Sequence, residues 1–188
     1  MLSLIFSKYE SCNKTNFGQV FDSFNGGTFQ SKYYVQKSIN KLITIKNVDD
    51  NGFNTDSVSY LADDKAEKKY LLKQGDVVLT MTGNIGRAGI VDENNCYLNQ
   101  RVLKLCCVSK SYLFAYLLKY KSNIIQLGKG TAQLNLSLED LKQMVVNNSD
   151  KEIKEFSKYD YIFDSLLNCK LVIKKTKELK AILLNRYF

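Results

Sequence analysis

The chain has 188 residues, 45% of them hydrophobic, and a formal net charge of +8 from 27 Lys/Arg and 19 Asp/Glu. That apolar content can form a real core and excludes wholesale disorder, while the excess of cations favours a polyanionic partner whose counterions are released on contact. Neither His nor Pro occurs, which excludes a Ser-His-Asp triad or Cys-His pair and the Asn/Asp-Pro-Pro-aromatic signature of adenine amino-methyltransferases.

No run approaches the ~18 consecutive apolar residues of a membrane span. Met1–Phe6 is too short for a signal sequence, with Lys8, Glu10 and Lys14 following at once. The cysteines (Cys12, Cys96, Cys106, Cys107, Cys169) lack Cys-x-x-Cys spacing, and no histidine is present to complete a zinc site. They read as reduced, mostly buried thiols in a cytoplasmic protein. Residues 149–188 hold 9 basic and 6 acidic residues, so most of the net charge lies before them. The same charge also serves ordinary solubility.

In chain order, residues 1–15 read as a loose arm and Asn16–Phe24 as an opening strand, followed by an Asn25-Gly26-Gly27-Thr28 turn. Phe29–Gln36 carries Lys32, Tyr33 and Tyr34 without clear periodicity, and is expected to be an exposed loop. Lys41–Val48 predicts a strand ending in the turn Asp49-Asp50-Asn51-Gly52. Residues 56–70 are charged, with room for one helical turn.

The stretch around which the chain is organised is Gly75–Val91. Val77–Met81 and Arg87–Val91 predict a hairpin joined by Thr82-Gly83-Asn84-Ile85-Gly86. Glycines at 83, 86 and 89 call for a positive φ or a close approach of another segment. The loop is no phosphate cradle, because it lacks the Gly-Lys-Ser/Thr ending and the dinucleotide spacing.

Cys96–Leu98 and Arg101–Val108 predict strands flanking Asn99-Gln100. Ser111–Tyr120 predicts a helix capped by Ser111, with Leu113, Leu117 and Tyr120 on one face, and Ile124–Leu127 can prolong it as far as Gly128-Lys129-Gly130. Ser137, with Asp140 three residues on, starts a short helix.

Asn147–Asp150 is the clearest boundary, dividing the chain into 1–148 and 149–188. Lys151–Tyr187 has no Gly, and apolar residues recur near every 3.5 positions: Tyr159, Ile162, Leu166, Cys169, Ile173, Thr176, Leu183. This predicts one helical rod of about 55 Å at ~1.5 Å per residue. Its seam is too long to bury against one domain and awaits a partner helix. A helix folded back over the domain is the alternative.

Three Glu-x-Lys triplets begin at Glu67, Glu152 and Glu178, but none sits on a strand with an upstream Asp to share magnesium, so they read as chance. Lys32, Tyr33, Tyr34, Lys37, Lys41 and Lys46 interleave aromatics with cations, as a surface that stacks on bases or meets phosphates does. Tyr33 or Tyr34 can equally face the core. Arg87 can fork onto a guanine edge, clamp a phosphate, or form a surface ion pair. Lys129, Thr131 and Gln133 form a second patch, in which Gln133 can bond an adenine edge. Ordinary turn chemistry is the rival reading there.

Four segments in order carry a family resemblance: Gly26-Gly27-Thr28; Gly75-Asp76-Val77-Val78 through Gly83-Asn84-Ile85-Gly86-Arg87; Asn99-Gln100; and Gly130-Thr131-Ala132-Gln133-Leu134-Asn135-Leu136 with Leu138-x-x-Leu141-Lys142. Together they resemble the specificity subunit of type I restriction–modification systems over residues 16–145, and the helix beyond resembles that family's coiled-coil region. The resemblance implies an α/β (α+β) fold: a mixed, β-rich target recognition domain over 1–148, then one long coiled-coil-type helix over 149–188. It implies a non-catalytic, DNA-binding cytoplasmic subunit with no metal or cofactor of its own. S-adenosylmethionine and the catalytic residues belong to a methyltransferase partner, with a restriction subunit as a further partner. The family's full subunit has two such domains, so this chain looks like a half-subunit that pairs with a copy of itself through Tyr159, Ile162, Leu166, Ile173 and Leu183. A truncated subunit acting as a decoy on the partner is the alternative. Lys32, Tyr34, Lys46, Arg87, Lys129 and Gln133 are the expected DNA contacts. Where the family has a hydrophobic-Pro-x-Pro-Pro run, this chain has Val145-Val146-Asn147-Asn148-Ser149-Asp150, a looser junction.

Overall fold

A computed structural model describes residues 13–148 and 150–187; the expected arm over 1–15 lies almost wholly outside them. The predicted opening strand is split. Strand β1 (Asn13–Asn16) gives way to one helical turn, α1 (Phe17–Val20), before β2 (Asp22–Asn25). The turn brings Phe17 and Phe21, four residues apart, side by side in the core with ring centroids 4.5 Å apart, closer than the same spacing along an extended strand allows.

A 3₁₀ turn at Ser31–Tyr33 leads to β3 (Tyr34–Val35), so the expected loop is an edge strand. Strand β4 (Lys41–Ile43) is also shorter than its pattern predicts. The Asn47 side-chain oxygen accepts from the Thr44 backbone N–H at 3.0 Å, stabilising a 3₁₀ turn at Ile45–Asn47. Strands β5 (Val48–Asp49) and β6 (Gly52–Phe53) form a small ribbon across the predicted turn. Strand β7 (Ser59–Leu61), two 3₁₀ turns and β8 (Leu71–Leu72) fill the charged stretch.

The hairpin forms where expected, as β9 (Val77–Thr80) and β10 (Ala88–Ile90). Strands β11 (Cys96–Leu98) and β12 (Val102–Cys106) flank Asn99-Gln100. Helix α2 (Lys110–Lys119) is capped by Ser109, whose hydroxyl accepts from the Tyr112 N–H at 3.2 Å. Ser111, the expected cap, instead lies inside the helix and donates to the Phe156 carbonyl at 2.7 Å. Helix α3 (Lys121–Gln126) follows a break at Tyr120, and α4 (Leu138–Gln143) is capped by Ser137 as its sequence predicts.

Strand β13 (Val145–Asn148) pairs antiparallel with β1. The predicted single rod is two helices, α5 (Asp150–Ser157) and α6 (Asp160–Tyr187). The break lies where the Asp160 carboxylate turns to accept from the Ser111 N–H at 2.9 Å and the Ser109 hydroxyl at 2.9 Å. The 28 residues of α6 span about 42 Å.

Two sheets stack. The order β10-β9-β12-β2 is wholly antiparallel, whereas β3-β7-β4-β11-β8 is mixed, with β11 parallel to β4. Strand β9 is covered on both faces. Val77 and Leu79 enter a core with Phe17, Phe21, Tyr112, Tyr116, Phe156 and Phe163, while Val78 enters a second core with Ile43, Leu98 and Val102. This double cover explains why Val77–Thr80 is a continuous buried run rather than an alternating one.

Candidate nucleic-acid interface

The connection between β9 and β10 is built around the buried side chain of Thr80. Its hydroxyl donates to the Asn84 carbonyl and accepts from the Arg87 N–H at 3.0 Å. Gly83 and Gly86 take φ of 72° and 80°, which the reversal requires and a side chain resists. A second tight loop docks on this turn. Lys129 and Asn135 exchange backbone hydrogen bonds at 2.9 and 2.8 Å, Gly83 N–H donates to the Leu134 carbonyl at 2.8 Å, and Leu136 N–H to the Met81 carbonyl at 2.8 Å. A Cβ at Gly83 would lie 3.4 Å from Gln133 Nε2 and 3.5 Å from Ile45 Cδ1. Gln133, the glycine turn and the 3₁₀ turn bearing exposed Lys46 therefore share one surface.

Arg87 leaves the same hairpin but points to Asp50, with Nη2 donating to Oδ2 at 2.7 Å. Lys121 reaches the other oxygen of Asp50 at 2.8 Å. Hydrogen bonds from Lys121 and then Arg87 hold the Asp50 carboxyl below its usual range. Lys129 pairs with Asp140 at 2.9 Å, and that bond, followed by one from Ser137, lowers the Asp140 carboxyl likewise. Lys32 and Tyr34 sit apart, at the outer edge of the five-stranded sheet. Lys32 lies 4.9 Å from the Tyr33 ring centroid, and the half-exposed Tyr34 donates its hydroxyl to the Phe29 carbonyl at 3.3 Å. Strand β7 separates β3 from β4, so this pair stands about 10 Å from the strand that leads to Lys46.

Sequence reasoning missed Asp50, Lys121 and Thr80. Asp50 was visible only as a turn residue, and no local pattern links positions 50, 87 and 121. The four resembling segments prove to be two contacting pairs. The hairpin turn meets the Gly130–Leu136 loop as described. Gly26-Gly27-Thr28 meets Asn99-Gln100, with Gly27 N–H donating to the Leu98 carbonyl at 2.8 Å and Gln100 N–H to the Gly27 carbonyl at 2.9 Å. Thr28 Oγ1 and Gln100 Oε1 stand 2.6 Å apart.

Glu67 is paired with Lys69 at 2.8 Å, and among the described residues no group of three or more His, Cys, Asp or Glu is placed to hold a metal ion. Burial pushes the Cys96 thiol up to about 12, far from a reactive thiolate. No helix among the described residues is long and apolar enough to cross a membrane.

At the arm, Phe156 and Phe163 are buried in the core. Along α6 and at the residue before it, Tyr159, Ile162, Leu166, Ile173 and Leu183 are all exposed, from 36% at Tyr159 to 56% at Ile173.

Fold and surface together define a mixed α/β domain of two stacked sheets whose turns and loops carry most of the candidate residues, with a long C-terminal helix. Against protein families, the one described as Type I restriction modification DNA specificity domain matches residues 9–155, and the chain belongs to that family. Among solved structures, the type I restriction–modification S subunit from M. genitalium is similar at a TM-score of 0.59 and 17% identity, over 92% of this chain and 45% of that one. The HsdS subunit from Thermoanaerobacter tengcongensis is similar at 0.60 and 12% identity, over 89% of this chain and 43% of that one. A chain from a structure on complex assembly and conformational transition of the type I R-M system matches at 0.61 and 12%, over 97% and 48%. At such identities these likenesses show the fold, and this chain spans less than half the length of each neighbour. No protein of curated function matches it by sequence.

Proposed function

We propose that this chain is a DNA sequence-recognition subunit of a type I restriction–modification complex, non-catalytic and cytoplasmic. The observation that carries the reading is membership of the specificity-domain family over residues 9–155. Residues 1–148 act as the recognition domain and 149–188 as the spacer arm, with the base of the arm sharing the domain's core. Gln133, Lys46, Arg87 and Lys129 form the central contact surface, and Lys32 with Tyr34 a flanking one. A methyltransferase partner supplies S-adenosylmethionine and the reacting groups. Two copies joined along Ile162, Leu166, Ile173 and Leu183 present two domains to an inverted repeat with a spacer.

Methylome sequencing of cells with and without this gene tests the reading. A methylated bipartite inverted repeat that vanishes on deletion is the expected result. Co-purification with a methyltransferase whose complex shows no DNA preference at any salt concentration would instead identify a decoy and end the recognition reading.

A further inference from the structure

Three segments distant in sequence meet at one exposed carboxylate. Asp50 Oδ2 accepts from Arg87 at 2.7 Å and Oδ1 from Lys121 at 2.8 Å, while the Asp50 side chain stays 61% exposed. A guanidinium and an ammonium converging on two oxygens of one anion is the arrangement that also suits a phosphodiester.

The Asp50 side chain bonds to Arg87 and Lys121 and not within its own turn. Its neighbour Asp49 builds the turn, accepting from the Asn51 N–H at 2.7 Å and from Asn54 Nδ2 at 2.8 Å. The two cations are positioned by packing elsewhere. A Cβ at Gly86 would lie 3.3 Å from Ile125 and 3.5 Å from the Lys121 carbonyl, which shows how closely the hairpin turn seats against α3. A Cβ at Gly89 would lie 2.9 Å from Phe53 N, so β10 is pressed against the ribbon that carries Asp50. The backbone segments that carry the two cations are thus brought together by packing in which the Asp50 side chain takes no part.

We propose that Asp50 is an internal stand-in for a DNA backbone phosphate, occupying a two-cation site formed by Arg87 and Lys121 until a phosphodiester of duplex DNA displaces it. This rests on the DNA-recognition reading above and adds Lys121 and Asp50 to it. An exposed ion pair is weak and salt-screened, as an exchangeable counter-ion must be. Because the displaced carboxylate stays close by and repels, random DNA gains little from the site. A target held by further contacts keeps its phosphate in place, so Asp50 sharpens discrimination.

The test is anisotropy titration of a random-sequence duplex across a salt series, with and without the methyltransferase partner. Asp50→Asn is compared with Asp64→Asn, a matched loss of an exposed carboxylate that pairs with Lys65 at 2.8 Å. Asp50→Asn should bind at least about five-fold tighter at low salt. Its log–log salt slope should steepen by about 1, at roughly 0.9 per phosphate gained. Asp64→Asn should stay within about two-fold of the native chain, since it frees a single lysine and not a two-cation site. Adding Arg87→Ala or Lys121→Ala to Asp50→Asn should remove the gain. Equal gains for the two Asn variants would overturn the assignment, as would weaker binding by Asp50→Asn with a lowered melting temperature, the mark of a structural strut. Native binding that Asp50→Asn leaves unchanged sinks this inference alone. No duplex binding by any variant, the native chain included, sinks the recognition reading with it.

Discussion

A Cβ on Gly26 would stand 2.3 Å from the carbonyl carbon and oxygen of Asn99 and 2.4 Å from the Leu98 carbonyl oxygen. All three are backbone atoms at the end of β11, so they cannot rotate away as a side chain would. Gly26→Ala is expected to cost at least ~3 kcal/mol, in the class of strained and overpacked sites. An unchanged urea midpoint would show that the two backbones do not touch as described. Thr80 is the second such residue. Replacing it with Val keeps the shape but strips the turn of the hydroxyl shared by Asn84 and Arg87. About 1–3 kcal/mol of stability should go with it, together with amide-exchange protection at Arg87; retention of both would contradict this role.

At the base of the arm, α5 buries Phe156 and also Glu152, whose burial raises its carboxyl above the usual value. The folded chain therefore holds this proton more tightly than the unfolded chain. Stability is lost as pH climbs from the ordinary glutamate value through the raised one, and the loss is complete above it. Glu152→Gln should lessen the fall in melting temperature that Glu152 contributes as pH rises above the ordinary glutamate value of about 4.3; parallel pH profiles for the two proteins would rule this out. Further along, the turn after β10 grips α6, with Asp92 and Lys170 3.7 Å apart and Glu93 paired with both Lys174 and Lys41. These ion pairs join the domain to the side of α6 and help to set the arm's angle. Exposed or half-exposed pairs contribute up to ~1 kcal/mol each. Lys170→Glu with Lys174→Glu should thus broaden spin-label distances between α6 and β7 without unfolding the chain, because Phe156 and Phe163 still anchor the base. An unbroadened distribution would mean that the apolar contacts alone orient the arm.

For the molecule as a whole, the exposed seam on α6 is the feature that the domain leaves unsatisfied. If two copies join there, Leu166→Glu with Ile173→Glu should yield monomers in sedimentation equilibrium while the folded signal is kept. A monomeric native chain at micromolar concentration would instead direct the seam to a different protein. Candidate contacts Lys46, Arg87, Lys129 and Gln133 lie on turns and loops carried by two stacked sheets. Such a division suits recognition, since loops can vary while the scaffold does not.

Much of this was legible from residue order. The hairpin, the Asn99-Gln100 strands, the Ser137 cap and the apolar seam follow from local rules: turn chemistry, capping and periodicity act within a few residues. The misreadings share one cause. Phe17–Val20 coils into a helical turn, Ser109 takes the cap from Ser111, and the rod breaks at Asp160 because distant partners outcompete local preference. Those partners are the aromatic core around Tyr112 and Tyr116 and the carboxylate of Asp160. The candidate surface follows the same division. Lys46, Arg87, Lys129 and Gln133 stand out as candidates one by one from residue type, Lys46 within one predicted strand and Arg87 at the head of another, but their grouping does not, since contacts between positions 45, 83 and 133 leave no trace in local pattern. Residue order set the elements and the unsatisfied helical seam. The packing of two sheets and three loops selected which charges meet, because an ion pair depends on distances in space that the spacing of residues along a chain does not encode.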